Sequence, residues 1–285
     1  MKQRSFFLGD RSYEGQFERI LGAGDVTIRN SEAKKVYCAG DLNIEHSRLE
    51  KVRCAGDIHA VSSHLGNIKM AGDIHLEGVC TADLLSAIGH VKAQLLQSKY
   101  LVCSRPGKRV QVSNLKPVAE WQGQFEAETF ESLYNFRLSC DVIFKNIISS
   151  ALLINEDEIT CDHFYSLGQL QANTVNAESI FILSGSQTSA DALTGSHIIV
   201  SNRFEPDKKI RMLAKTQTYI SRSSDGKLAK IRSIEGDTIR LDHTKADLVS
   251  GSDIVIGDLC VIDKVEYMDQ IQISDKAVVN EVKKI

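Results

Sequence analysis

Proline is scarce in this chain, at 3 residues in 285, and aromatic side chains make up 6% with a single tryptophan. So few rings argue against a polysaccharide-binding surface, which normally stacks aromatic faces on sugars. Basic residues are not in excess either: 34 Lys and Arg stand against 37 Asp and Glu. That balance argues against a broad grip on nucleic acid, which needs surplus cations to neutralise phosphates. No apolar run approaches the ~18 residues of a membrane helix. The most apolar window, residues 143–154, is broken by Lys145, Asn146 and two serines. The amino terminus carries three consecutive apolar residues, Phe6, Phe7 and Leu8, short of the roughly 7–15 in a secretory signal. No cysteine forms a CxxC pair among Cys38, Cys54, Cys80, Cys103, Cys140, Cys161 and Cys260. The expectation is a reduced, cytoplasmic chain whose thiols are buried rather than bridged or zinc-bound.

What the chain does have is repetition. Ala-Gly-Asp occurs at residues 23–25, 39–41, 55–57 and 71–73, each copy 16 residues after the last. The flanking columns agree: Val26, Leu42, Ile58 and Ile74 follow the aspartates, with Ile28, Ile44, Ala60 and Leu76 two residues further on. Upstream stand Ala33, Leu49 and Leu65 in one column and Val36, Val52 and Ile68 in another. With one residue inserted, the pattern continues through Ala82, Leu85, Gly89, Val91 and Ala93.

The period restricts the architecture. Alternation within Val26-Thr27-Ile28 and Leu42-Asn43-Ile44 is the mark of a half-buried strand. Sixteen residues are too few for two helices and a turn, but suit two or three short strands with corners. Such a unit buries its apolar face by stacking on its neighbours at the ~4.8 Å strand spacing. The sequence therefore predicts an all-β fold, a β-solenoid or β-helix with ~16-residue coils. Aliphatic columns point inward; Gly24, Gly40, Gly56 and Gly72 are expected at a positive-φ corner, capped by Asp25, Asp41, Asp57 and Asp73. A calcium ladder on those aspartates is the weaker alternative, because calcium-binding glycine-aspartate repeats are nine residues long.

The rest of the chain is less regular. Pro106, Gly107 and Pro117 mark a break, and Phe130, Leu133, Tyr134 and Arg137 are spaced for a short helix or an elaborated corner. Leu167, Leu183 and Ile199 again fall 16 apart, as do Ile182 and Ile198, and Gly236-Asp237 and Gly257-Asp258 recur 21 apart. The expected organisation is a cap or partial coil over 1–20, a regular solenoid over 21–104, an insertion or linker over 105–138, a second solenoid segment over 139–205 and C-terminal β-rich coils over 206–285.

Chemistry is hard to find in this pattern. Cys38 and Cys54 share a column with Met70, which reads as core packing. His59 and His75 share another with Thr27 and Asn43; two stacked imidazoles could hold a metal, but no third ligand is evident in that column. Hydrolase, P-loop, zincin and dinucleotide-binding motifs are all missing. Glu156/Asp157 and Asp141/Asp162 are the acidic pairs a glycosidase reading would use. Arg203, Lys208, Lys209, Arg211 and Lys215 form a modest basic cluster without interleaved aromatics. No catalytic, cofactor-binding or metal residue is assigned, and the chain is read as a non-enzyme without cofactor.

Repeated Ala-Gly-Asp corners followed by Ile, Leu or Val, at solenoid spacing and without catalytic motifs, resemble the bactofilins, polymer-forming bacterial cytoskeletal proteins. The stretches that carry the likeness are residues 21–93, with weaker support from 254–282. The resemblance implies a right-handed β-helix that assembles end to end without nucleotide. It also implies a scaffold that recruits cell-wall or shape-determining proteins, often near the inner face of the membrane, with at most peripheral membrane contact and no nucleic acid. The alternatives are a capped, non-polymerising β-helical adaptor and a carbohydrate-active β-helix enzyme.

Overall fold

The computed structural model describes residues 3–103, 119–184, 187–202 and 227–285. Strand accounts for 78% of the described residues, no helix occurs among them, and parallel coils stack into a β-solenoid of about 14 turns. Strands are numbered β1 to β20 in chain order. The chain divides into two compact units, Met1–Phe144 and Lys145–Ile285.

In the first unit, the aliphatic columns read from the sequence are the core. Strands β3 (Val26–Ala33), β5 (Leu42–Glu45), β8 (Ile58–Val61) and β10 (Ile74–Ala87) lie side by side in parallel. Val26 pairs with Leu42, Leu42 with Ile58 and Ile58 with Ile74, all almost fully buried. Val36, Val52 and Ile68 stack the same way on another side of the coil. Burying each such side chain stabilises the stack by roughly 1.5–3 kcal/mol. Residues 3–22 belong to the stack as well: β1 (Gln3–Phe7) pairs with β2 (Arg11–Gly22), which pairs with β3. The extra residue after the fourth copy is accommodated as read, since Ile74 pairs with Val91 and Leu76 with Ala93.

The Ala-Gly-Asp corner works differently from expectation. Its glycines do not have positive φ; that conformation occurs half a coil away, at Asn30 (46°), His46 (46°), Ser62 (44°) and Gly78 (65°). Glycine is required in the repeat because the coils touch there. A Cβ on Gly56 would meet Asp41 Oδ1 and the carbonyl of Gly40, and one on Gly72 would lie 2.6 Å from the carbonyl oxygen of Gly56. The aspartates do bind amides, but those of the next coil. Asp25 Oδ1 accepts from the amide of Asp41 (2.8 Å), Asp41 from Asp57 (2.9 Å) and Asp57 from Asp73 (2.8 Å).

A second polar ladder escaped the sequence reading. Ser31, Ser47 and Ser63 are buried, each one residue after a positive-φ position. The Ser31 amide donates to Ser47 Oγ (3.0 Å) and the Ser47 amide to Ser63 Oγ (3.1 Å). Each hydroxyl then donates to a carbonyl two residues back, as Ser47 does to Glu45 (2.7 Å). These hydroxyls satisfy amides that the left-handed corner turns away from the regular ladder.

The expected insertion resolves in part. Residues 105–118 lie outside the described residues, but Ala119–Ser132 is not a helix: it is strand β12, paired in parallel with β11 (Val91–Cys103). Trp121 sits on Val91, Phe125 on Leu96 and Phe130 on Leu101. The three- and four-residue spacing of Phe130, Leu133 and Tyr134 arises because the chain rounds a corner before β13 (Phe136–Ser149). Here rings fill the space that aliphatics fill earlier, with Trp121, Phe125, Phe130, Phe136 and Phe144 in contacts of 5.2–5.6 Å.

The second unit is built from long strands that bend through their corners: β14 (Leu153–Ser166), β15 (Leu170–Leu183), β16 (Thr188–Ser201), β17 (Ala229–Leu241), β18 (Thr244–Ile256), β19 (Val261–Ile273) and β20 (Val278–Lys284). The 16-residue register expected between Leu183 and Ile199 is not used. Leu183 pairs with Ser201, Phe181 with Ile199 and Ile180 with Ile198, an offset of 18. Gly236 is likewise in register with Gly251, not Gly257.

Candidate functional site

Strands β8 and β10 place His59 directly opposite His75. Ile58, Ala60, Ile74 and Leu76 face the core on either side of them, so strand alternation turns both imidazoles outward. The rings lie 5.3 Å apart, tilted by 62°. Strand alternation also puts Glu77, two residues after His75, on the same face. Its carboxylate reaches back between the rings, with Oε1 3.1 Å from His59 Nε2 and 3.3 Å from His75 Nε2. All three side chains are about half exposed, at 45%.

Two backbone features hold Glu77 in place. Gly78 has positive φ, and the pairing with β11 shifts register between Leu76 and Val79. The Gly78 amide donates to Gln94 Oε1 (2.7 Å), which fixes the bulge immediately after the carboxylate. The three potential ligand atoms lie within 4.8 Å of one another. The histidine column was visible in the sequence, but its third member lies one column over; the signal that finds it is the two-residue period of the strand.

The edge of the last coil is a second site. β20 pairs in parallel with β19, Ile262 with Val279 and Val265 with Val282, which carries the core columns to the end of the unit. Among the described residues no strand pairs with the other edge of β20. Met268, Ile273, Val278, Val282 and Ile285 are 40–56% exposed around it. At the amino-terminal coil of the first unit Phe7, Tyr13 and Phe17 are buried and pack ring on ring at 5.6 and 5.2 Å, while Phe6 and Leu8 are exposed, at 73% and 77%.

A groove of about 510 Å³ crosses β14 to β18 in the second unit. Asn173, Asp191, Arg232 and Asp247 line one wall and Gln171, Ser189, Lys230 and Lys245 the other. Arg232 faces Asp191 at 3.5 Å across the strand pair. Glu156 of the first acidic pair lines this groove, and the neighbouring Asp157 amide is bonded to the Asn155 side chain (3.0 Å). Asp162 is exposed on β14 and the side chain of Asp141 lies outside the described residues. The basic cluster from Arg203 to Lys215 lies outside them too.

The described cysteines are buried free thiols. Cys38 pairs with Cys54 and Cys54 with Met70, as the column predicts. A hydrogen bond with the Cys38 thiol and burial together push the Cys54 thiol up. Burial alone pushes Cys103 up to about 12, and burial reinforced by the Asp162 charge does the same for Cys161. Thiols held in this state are packing groups rather than nucleophiles.

Compared with known proteins, the chain matches no family model, no curated protein and no solved structure.

Proposed function

We propose that the chain is a non-enzymatic structural scaffold of the bactofilin kind, which self-associates through a solenoid end without nucleotide and offers its coil faces to partners in the cytoplasm. The observation that carries this reading is the β20 edge. Among the described residues it combines a strand edge without a partner strand with aliphatic side chains in continuation of the core, the combination that natural sheets cover when it is not used. The occupant that fits best is a second copy of the same coil. A two-fold contact centred on Val282 sets that side chain opposite itself and places Glu281 opposite Lys283, so the edge is self-complementary in charge as well as shape.

The deciding experiment is negative-stain microscopy with sedimentation of the untagged protein, with and without nucleotide. Filaments or dimers independent of nucleotide, lost in Val282→Lys, support the proposal. A monomer at every concentration overturns it in favour of a capped adaptor. The two-fold geometry has its own check: Glu281→Lys and Lys283→Glu should each weaken association and together restore it.

The mixed-charge groove of the second unit supports a second reading, a β-helix that binds an extended polar polymer. Binding of acidic or neutral oligosaccharides that is lost in Arg232→Ala, in a chain that stays monomeric, would move that reading ahead.

A further inference from the structure

We propose that His59, His75 and Glu77 form a binding site for one divalent transition-metal ion of the zinc type, bridging two successive coils of the first unit. Two imidazoles and one carboxylate are a donor set suited to such ions, with a fourth position left for water or an incoming ligand. The geometry is close to what that coordination requires. With metal–ligand bonds of about 2.0–2.2 Å, the edges of a tetrahedron are about 3.3–3.5 Å. Glu77 Oε1 already stands 3.1 and 3.3 Å from the two Nε2 atoms, and all three ligand atoms lie within 4.8 Å of one another, so side-chain rotation of the two half-exposed histidines can bring them round an ion. Such short, convergent spacing is also that of two N–H···O hydrogen bonds; when the ion binds, the single proton of each neutral ring moves from Nε2 to Nδ1, which frees the Nε2 lone pair for the ion.

The support is rigid where a metal site needs it to be. His59 and His75 sit on paired strands whose alternate residues, Ile58, Ala60, Ile74 and Leu76, are almost fully buried. Glu77 is held by the Gly78 bulge and its bond to Gln94. Half-exposure of the three side chains leaves a path for the ion and room for its fourth ligand. An ion here ties residue 59 to residues 75 and 77, across one coil boundary. The site belongs to a coil face, so it is independent of whether the solenoid ends associate.

The test uses the full-length, untagged protein stripped with a chelator, titrated with zinc chloride by calorimetry and with cobalt(II) by visible absorption. One ion per chain and the strong visible bands of four-coordinate cobalt are expected. His59→Ala and His75→Ala should each weaken zinc binding by about tenfold or more, and Glu77→Gln, which keeps the side-chain shape and its capacity to hydrogen-bond, should do likewise. His197→Ala, on an exposed strand position of the second unit, should leave binding unchanged. Circular dichroism confirms that each variant is folded. Absence of binding in the wild type, or binding that survives both His59→Ala and His75→Ala, overturns the proposal and leaves the cluster a hydrogen-bonded surface triad.

Discussion

The coils over residues 26–73 and those over 153–273 solve one stacking problem in two ways. In the first, short strands of two to eight residues are joined at corners where side chains bond from coil to coil, through the aspartates on one side and the buried serines on another. From Asp25 to Asp73 each aspartate rung falls 16 residues after the last, and the ladder runs on at an offset of 15 to Asp10 and of 17 to His90. In the second, strands of 13 or 14 residues carry the backbone ladder through the corners, and the offset between paired residues drifts. Leu170 pairs with Thr188 eighteen residues on, Ala229 with Thr244 fifteen on, and Val261 with Val278 seventeen on. Apolar columns tolerate that drift because burial is non-directional, whereas the side-chain ladders hold one offset through the consecutive copies and take a one-residue change only at either end of the repeat. Exact repetition in the sequence thus reports polar ladders, and the fold persists where they stop.

The largest test of that contrast is a change of coil length. One alanine inserted between Gly56 and Asp57 displaces the Asp57 amide from Asp41 and brings a Cβ into the contact between coils; it should cost about 4 kcal/mol or more in urea denaturation, the range of severe single changes. The same insertion between Asp258 and Leu259 falls where coil length already varies and should cost less than half as much. Equal losses at the two sites would refute the distinction between locked and drifting register.

A milder change probes one rung. Ser47→Ala removes the acceptor of the buried Ser31 amide, and an unsatisfied buried donor should lower stability by about 1–3 kcal/mol. In the second unit Ser233 bonds an exposed Glu235 carboxylate (3.1 Å), and Ser233→Ala should stay within about 0.5 kcal/mol. Comparable effects would mean that the serine ladder does not set the register.

These differences also explain what could be read in advance. The fold class and the aliphatic columns were legible because Ala-Gly-Asp recurs in constant register and its neighbours alternate with the strand period. The reason for its glycine was not, since close approach between coils and positive φ call for the same residue, and the contact to Asp41 or Gly40 exists after stacking alone. The serine ladder was hidden by the ordinariness of serine. Register in the second unit was misread because Leu, Ile and Val recur often enough there to align at 16 as well as at 18. Of the candidate site, the His59–His75 column was readable from the period of 16, while Glu77 stands in a different column, where the earlier copies carry Arg29, Glu45 and Val61.

The pH dependence of stability tests the two units through their buried thiols. Cys161 in the second unit and Cys103 in the first are held up to about 12 by burial, against about 8.5 for a thiol in an unfolded chain. The folded state therefore keeps a proton that the unfolded state releases. The stability each thiol contributes is fully present below about pH 8.5 and is lost as pH rises towards 12, by about 1.4 kcal/mol per pH unit per thiol. Denaturation at pH 8, 9 and 10 should show this alkaline loss, and Cys161→Ala or Cys103→Ala should each reduce the slope by its own share. Within the repeat, the Cys38 and Cys54 thiols are hydrogen-bonded to each other, so removing one changes the titration of the other. Cys161→Ala and Cys103→Ala together should flatten the slope additively, whereas Cys38→Ala and Cys54→Ala together should not. That outcome would show stacking in register coupling ionisation from coil to coil in the repeat, where the isolated thiols respond to burial on their own.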